Sequence, residues 1–79
     1  MKIWELTELE NDYHSTPYVV RRWNKKPSME LLAKAMDHAF PSNNDKHTLA
    51  IVKCWQGEEV RFTDYGNIWE LSEVEVVEI

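Results

Sequence analysis

Hydrophobic positions recur at helical spacing in one segment of this 79-residue chain. The apolar face of that segment comprises Met29, Leu32, Ala33, Met36 and Phe40. Ser28 precedes it as an N-cap, since its hydroxyl can accept from backbone N–H groups that lack an intrahelical partner. Glu30 and Lys34 form an i,i+4 pair on the polar side, and Pro41 ends the segment. The spacing predicts one helix over residues 29–40, which must pack on another element because about 12 residues do not form a stable helix alone.

Segments with β-branched, aromatic or alternating apolar residues favour strands in the rest of the chain. The predicted strands are 18–23, 48–55, 59–63 and 68–79. Gln56-Gly57 is a predicted hairpin loop, and residues 64–67 form a second turn because Gly and Asn tolerate positive φ. The last three strands would therefore follow one another as an antiparallel meander.

The segment 2–10 matches neither the helical nor the strand period. Its residues 3–10 (IWELTELE) nevertheless align without gaps with residues 68–75 (IWELSEVE) and differ only by conservative changes. The two copies are pseudo-equivalent edge elements, remnants of a duplication, or a coincidence. Two copies alone do not make a repeat protein.

These elements predict an α+β domain that spans residues 1–79. It would contain an antiparallel sheet of four to five strands, with one helix packed on one face. A chain of this length buries only about 60% of its unfolded surface, so the core is thin. The predicted core residues are Val20, Leu32, Met36, Phe40, Ile51, Val60, Phe62, Trp69, Leu71 and Val76.

Composition restricts the class of protein. The chain is 43% hydrophobic and 29% charged, with two Gly and three Pro, as expected of a folded domain. One cysteine cannot form an internal disulfide, so nothing requires an oxidising compartment. No apolar run approaches the ~20 residues of a membrane span, and Glu5 interrupts any signal-peptide pattern. We therefore expect a cytoplasmic domain with no membrane association.

Residues with catalytic or metal-binding chemistry are scattered along the chain. They are His14, His38, His47 and Cys54, with no CxxC or HxxxH spacing. Cys54 is expected to be a small buried side chain. Both glycines fall in predicted turns, so no phosphate-binding loop is available. We expect no metal, no cofactor and no enzymatic activity.

Acidic residues concentrate at the two ends of the chain, which carries a net charge of −5. The acidic set that we consider for partner binding is Glu58, Glu59, Asp64, Glu70, Glu73 and Glu75. One interpretation is a solvated sheet face. The other is a row of carboxylates that imitates nucleic-acid phosphates and binds the basic groove of another protein.

A basic and aromatic segment lies between the acidic ends. It comprises Tyr18, Arg21, Arg22, Trp23, Lys25 and Lys26. Such residues can hold phosphates and stack bases, which predicts nucleic-acid binding as the alternative function. The same cations could instead be a solvated loop, or pair with acidic residues of this chain or of a second copy, so a homodimer is possible.

Four tryptophans are many for so small a core. Either most of them are core residues, or one or two lie on a partner-binding surface together with tyrosines of the loops. The tryptophans are Trp4, Trp23, Trp55 and Trp69, and the tyrosines are Tyr13, Tyr18 and Tyr65.

The segments 1–6 (MKIWEL) and 65–71 (YGNIWEL) resemble those of small accessory proteins from phages of Gram-positive bacteria. The resemblance implies a short protein that acts on a host or defence target by stoichiometric binding. Anti-CRISPR proteins are such a group, and several occupy the nucleic-acid groove of their target. We therefore expect a non-enzymatic inhibitor whose acidic surface blocks a basic groove, with a CRISPR nuclease as a candidate partner in the bacterial cytoplasm. A small nucleic-acid-binding phage accessory protein is the alternative.

Overall fold

The N-terminal strand lies at the centre of the sheet. The computed structural model describes residues 1–10 and 16–77. Within them the chain forms β1 (Lys2–Leu9), β2 (Tyr18–Trp23), α1 (Met29–Ala35), α2 (Asp45–Trp55) and β3 (Ile68–Glu75). The sheet order is β2-β1-β3, and both strand pairs are antiparallel. The α+β class is confirmed. The described residues contain three strands rather than four or five, and two helices rather than one.

Helix α1 begins where the sequence predicts and ends five residues early. The backbone N–H of Leu31 donates to Ser28 Oγ at 3.2 Å, which confirms the N-cap. Asp37 adopts a φ of 60°, and the N–H of His38 donates to the Ala33 carbonyl at 2.8 Å. This left-handed residue and the bond across it form a Schellman motif. The predicted extension to Phe40 is wrong because the motif ends the helix before Pro41 is reached.

The segment predicted as a strand over residues 48–55 is part of helix α2. The Asn44 side chain caps the helix by accepting from the N–H groups of Lys46 and His47. Three residues at helical spacing are buried inside it: Ala50, Ile51 and Cys54. The strand prediction is wrong because capping and a one-sided apolar face outweigh the β propensity of Thr, Ile and Val.

Gly57 ends α2 instead of forming a hairpin. It adopts a φ of 96°, and the N–H of Glu58 donates to the Lys53 carbonyl at 3.0 Å, again a Schellman motif. The predicted strand over 59–63 is reduced to a single bridge between Val60 and Trp69. The predicted meander is therefore wrong. The last strand ends at Glu75, and residues 78–79 lie outside the described residues.

The two similar segments pair with each other about a local pseudo-two-fold axis. Leu6 of β1 lies opposite Leu71 of β3, and Leu71 occupies in 68–75 the position that Leu6 occupies in 3–10. Each strand therefore presents to the other the same side chains in reverse order. Residues 2–9 are a strand, and this strand is central, so the prediction of two edge elements is wrong for the first copy.

The core lies between the two helices and one face of the sheet. Its buried cluster comprises Leu6, Leu32, Met36, Ala50, Cys54, Val60 and Leu71. All four tryptophans are partly buried and pack against this cluster. None of the described residues on the opposite sheet face is buried. Both helices therefore lie on one side of the sheet.

Half of the predicted core is confirmed. Leu32, Met36, Ile51, Val60 and Leu71 are buried, whereas Phe40, Phe62, Trp69 and Val76 are only partly buried. Val20 is 36% exposed, so its assignment to the core is wrong. It lies in a β-bulge of β2, where Arg21 pairs with Leu6 and Val19 with Thr7, and it has no Cα partner.

Candidate functional site

A groove lies between the outer strand β2 and helix α1. It has a volume of about 240 Å³ and is lined by Arg21, Trp23, Leu31, Lys34 and Ala35. Arg21 pairs with Leu6 and Trp23 with Trp4, so both lie on the helix-bearing face of the sheet. Two residues of the basic and aromatic segment, one cation and one aromatic ring, are thus brought together with a second cation, Lys34, from α1.

The two cations of this groove have no acidic partner among the described residues. Arg21 and Lys34 are both exposed, and neither forms an ion pair with a residue of 1–10 or 16–77. The predicted ion pair between Glu30 and Lys34, which are both described residues, is therefore not formed. Both cations are therefore available to an anionic ligand, and the Trp23 ring and the half-exposed Leu31 line the same groove.

Arg22 lies on the opposite face of the sheet from Arg21. It pairs with Glu5 in the register, and its Nε donates to Glu5 Oε2 at 2.7 Å. The Glu5 side chain is only 14% exposed, so this ion pair is partly shielded from solvent. Arg22 therefore does not contribute to the groove.

Tyr18 and the two lysines of the segment do not line the groove. The Tyr18 hydroxyl donates to Glu8 Oε1 at 2.5 Å, and this hydrogen bond raises the pKa of Tyr18 above its ordinary value. Lys26 Nζ lies 3.5 Å from the centre of the Trp55 ring, a close cation–π contact. Lys25 is exposed beside it. Two of these three side chains are thus occupied within the chain.

The six acidic residues do not share one surface. Glu58, Glu59 and Asp64 follow α2 and are exposed. Glu70 pairs with Thr7 on the face of the sheet away from the helices. Glu73 and Glu75 lie on the helix-bearing face, where Lys2 contacts Glu73 at 3.4 Å and the amino group of Met1 contacts Glu75 at 3.2 Å.

Two of the three histidines meet in space, although the sequence separates them. The His38 ring stacks on Phe62 with centroids 3.7 Å apart, and the His47 ring meets His38 edge-on at 5.0 Å. His38 Nδ1 lies 2.7 Å from the Met36 carbonyl. His14 lies outside the described residues. Among the residues that are described, no group of three or more His, Cys, Asp or Glu could hold a metal ion.

Cys54 is buried in the core, as the sequence predicts, but on a helix rather than a strand. Burial raises the pKa of its thiol to about 11. The thiolate that nucleophilic chemistry needs is therefore disfavoured.

Sequence reasoning missed three lining residues of the groove: Leu31, Lys34 and Ala35. The sequence did contain a signal: Leu31 falls off the apolar face of α1 and precedes Lys34 by three residues, so the two lie on one side of the helix. In the structure Leu31 is 51% exposed. Their approach to β2 depends on how α1 packs on the sheet. No local pattern reports that packing.

No protein-family model, curated protein or solved structure matches this chain. Neither helix of the described residues is long and apolar enough to cross a membrane. The fold and the groove together define the class of protein: an α+β domain with a groove beside an outer strand, lined by two cations and an aromatic ring.

Proposed function

We propose that this chain is a non-enzymatic binding protein of the bacterial cytoplasm that takes single-stranded nucleic acid in the groove between β2 and α1. The observation that carries the proposal is that Arg21, Lys34 and Trp23 line one groove. Neither cation has a carboxylate partner among the residues that are described. Nucleic-acid binding is the function that the sequence predicts as the alternative to an inhibitor with an acidic surface.

The groove matches the size and chemistry of one nucleotide. A base would contact Trp23 and Leu31, and stacking on an aromatic side chain contributes about 1–3 kcal/mol per base. The guanidinium of Arg21 and the ammonium of Lys34 would hold the flanking phosphates. The volume of about 240 Å³ lies below the ~300–1,000 Å³ typical of sites for larger ligands. Recognition would therefore be local and largely independent of base sequence.

The net charge of −5 works against this function at long range. Two phosphate contacts give a modest affinity that falls with salt. We therefore expect binding at low ionic strength. We expect its strength to depend on the cations of the groove rather than on the net charge of the protein.

The test is fluorescence anisotropy with a labelled oligothymidylate of about 15 nucleotides, from about 20 mM to about 200 mM NaCl. We expect binding at low salt, quenching of tryptophan emission, and loss of both in the Arg21→Gln/Lys34→Gln variant. Arg22→Gln/Lys25→Gln is the matched control, because it removes the same number of charges from residues that do not line the groove. Absence of binding at the lowest salt, or equal losses in the groove variant and the control, would reject the proposal.

A second candidate is the inhibitor expected from the acidic set. It is favoured by one observation: Glu58, Glu59 and Asp64 are exposed, and no cation pairs with them in the described part of the chain. These carboxylates would bind a host or defence protein with a basic groove, such as a CRISPR nuclease. Reversing all three to Lys should abolish capture of that protein from a nuclease-treated lysate. Unchanged capture would exclude this candidate.

A further inference from the structure

A second groove runs along the outer side of α2 to the start of β3. It consists of two adjoining hollows of about 270 Å³ and about 300 Å³, which share Glu59, Val60 and Arg61 as lining residues. Helix α2 adds Lys46, Leu49, Ala50 and Lys53, and β3 adds Ile68. Among the described residues, this groove shares no lining residue with the one between β2 and α1.

Three cations and one carboxylate line this second groove. Lys46 and Lys53 are seven residues apart on α2, so they lie on the same side of the helix about 10.5 Å apart along its axis. Within residues 1–10 and 16–77, neither lysine pairs with a carboxylate. In the same part of the chain Arg61 forms no ion pair, and its Nη1 donates to the backbone carbonyl of Asp64 at 3.5 Å. The groove is thus locally positive in a chain of net charge −5.

The space between these cations is apolar. Leu49 lies between the two lysines along the helix and is 53% exposed, and Val60 and Ile68 continue the apolar lining. None of the described residues that line the groove is aromatic, so they offer no platform for a nucleic-acid base. An apolar centre with cations at its ends instead complements an acidic peptide that carries an apolar side chain.

The backbone of residues 59–61 can pair with an extended ligand. Val60 uses its N–H and C=O to bridge Trp69 of β3. The backbone N–H groups of Glu59 and Arg61, on either side of this bridge, bond to no described residue. An incoming strand would find two backbone donors that the described part of the chain leaves without a partner.

We propose that the second groove docks an extended acidic segment of a partner protein. Its apolar side chain packs on Leu49, its carboxylates bind Lys46 and Lys53, and its backbone pairs with residues 59–61, as in strand addition to a sheet edge. This surface is independent of the nucleic-acid groove. The protein would thereby contact an acidic partner on one side and a nucleic acid on the other.

The test is an NMR titration with an acidic probe peptide of about 12 residues, long enough to pass both lysines when extended. The peptide contains only Glu and Asp around a central Leu pair, and its control has Gln and Asn in place of every acid. We expect the acidic peptide to shift the amide signals of α2 and residues 59–61. The Lys46→Gln/Lys53→Gln variant should weaken binding about tenfold.

Arg21→Gln/Lys34→Gln is the matched control, since it removes the same charge from the other groove and should leave peptide binding unchanged. Leu49→Ala, an exposed site that leaves folding intact, should also weaken binding. Equal losses in the two double variants, equal binding of the amide peptide, or displacement of the peptide by oligothymidylate from the same amide signals would overturn the proposal. Failure of oligothymidylate to bind anywhere would reject the nucleic-acid function alone.

Discussion

Arg21 and Arg22 are neighbours in β2, yet their side chains leave the sheet on opposite faces. Arg21 pairs with Leu6 and lines the groove beside α1, whereas Arg22 pairs with Glu5 and forms an ion pair with it. Because successive side chains of a strand point to opposite faces, Arg22 is neutralised by Glu5, whereas Arg21 has no acidic partner among the described residues. A contribution of the groove can therefore be separated from a contribution of net charge by changing one residue or the next.

The salt dependence of oligothymidylate binding should distinguish these two arginines. We expect Arg21→Gln to reduce the slope of log K against log [salt] by about 0.7, the value for one phosphate contact on a single strand. Arg22→Gln should leave the slope unchanged, since its guanidinium already pairs with Glu5. Anisotropy titrations at several salt concentrations give both slopes. Equal slopes for the two variants would show that Arg21 makes no phosphate contact.

The two helices end with the same motif but with different residues at its left-handed position. Asp37 holds that position after α1 and Gly57 after α2, with φ of 60° and 96°. Asp37→Gly should raise the free energy of unfolding by about 0.5–1 kcal/mol, because glycine adopts positive φ without steric cost. Gly57→Asp should lower it by about 1–2 kcal/mol through the backbone alone, since a Cβ there meets nothing within 4 Å. Urea denaturation measures both changes.

Asp37→Asn separates backbone strain from charge at the end of α1. Asparagine tolerates the left-handed region about as well as aspartate does and lacks the negative charge, which is unfavourable at a helix C-terminus. A gain for Asp37→Asn as large as that for Asp37→Gly would show that charge, rather than φ, limits the stability of this cap.

The buried thiol of Cys54 should make the protein less stable at high pH. Its pKa is raised from 9.0 to about 11, chiefly by burial, so the folded state holds the thiol proton more tightly than the unfolded state. The free energy of unfolding is therefore highest below pH 9 and falls by up to about 2–3 kcal/mol as the pH rises to about 11. Urea denaturation across this range measures the fall. In Cys54→Ala this part of the pH dependence should disappear, and an unchanged profile would contradict the assignment to Cys54.

The contact between Leu6 and Leu71 should be a main source of stability. Both side chains are buried, at 0% and 2% exposure. Replacement of either by Ala should cost about 2–5 kcal/mol, and the double variant should reveal a coupling of about 0.5–3 kcal/mol, because the two residues share one site. Leu31→Ala is the control: its side chain is 51% exposed, so the change should stay within about 0.5 kcal/mol. Additive losses at Leu6 and Leu71 would show that they are not in energetic contact.

Local signals account for the parts of the fold that could be predicted. The hydroxyl of Ser28 and the spacing of Leu32 and Met36 define the start and the inner face of α1, and both are properties of a few neighbouring residues. The strand over 18–23 follows from its β-branched and aromatic content in the same way. Elements with these signals need no knowledge of the tertiary structure.

Helix α2 shows where such signals conflict. Residues 48–55 carry β-branched and aromatic side chains, yet Asn44 caps the segment and Gly57 ends it. If the caps had been weighed before the propensities, the segment would have been predicted as a helix, and the predicted sheet would have had one strand fewer. The groove depends on Lys34 and Arg21, which are far apart in the chain. They meet only after α1 packs on the sheet.

The reversed likeness of β1 and β3 has a consequence for folding at high concentration. Because β3 presents to β1 nearly the side chains of β1 itself in reverse order, two β1 segments from different chains can align antiparallel with Leu against Leu and Trp against Glu. One of the two native partners of β1, the strand β3, lies far from it in the sequence, so the pairing of β1 with β3 forms slowly relative to local structure. Before β3 has paired, β1 of one molecule can therefore pair with β1 of a second molecule. Refolding at low protein concentration should favour the monomer, and refolding at high protein concentration should favour strand-exchanged dimers.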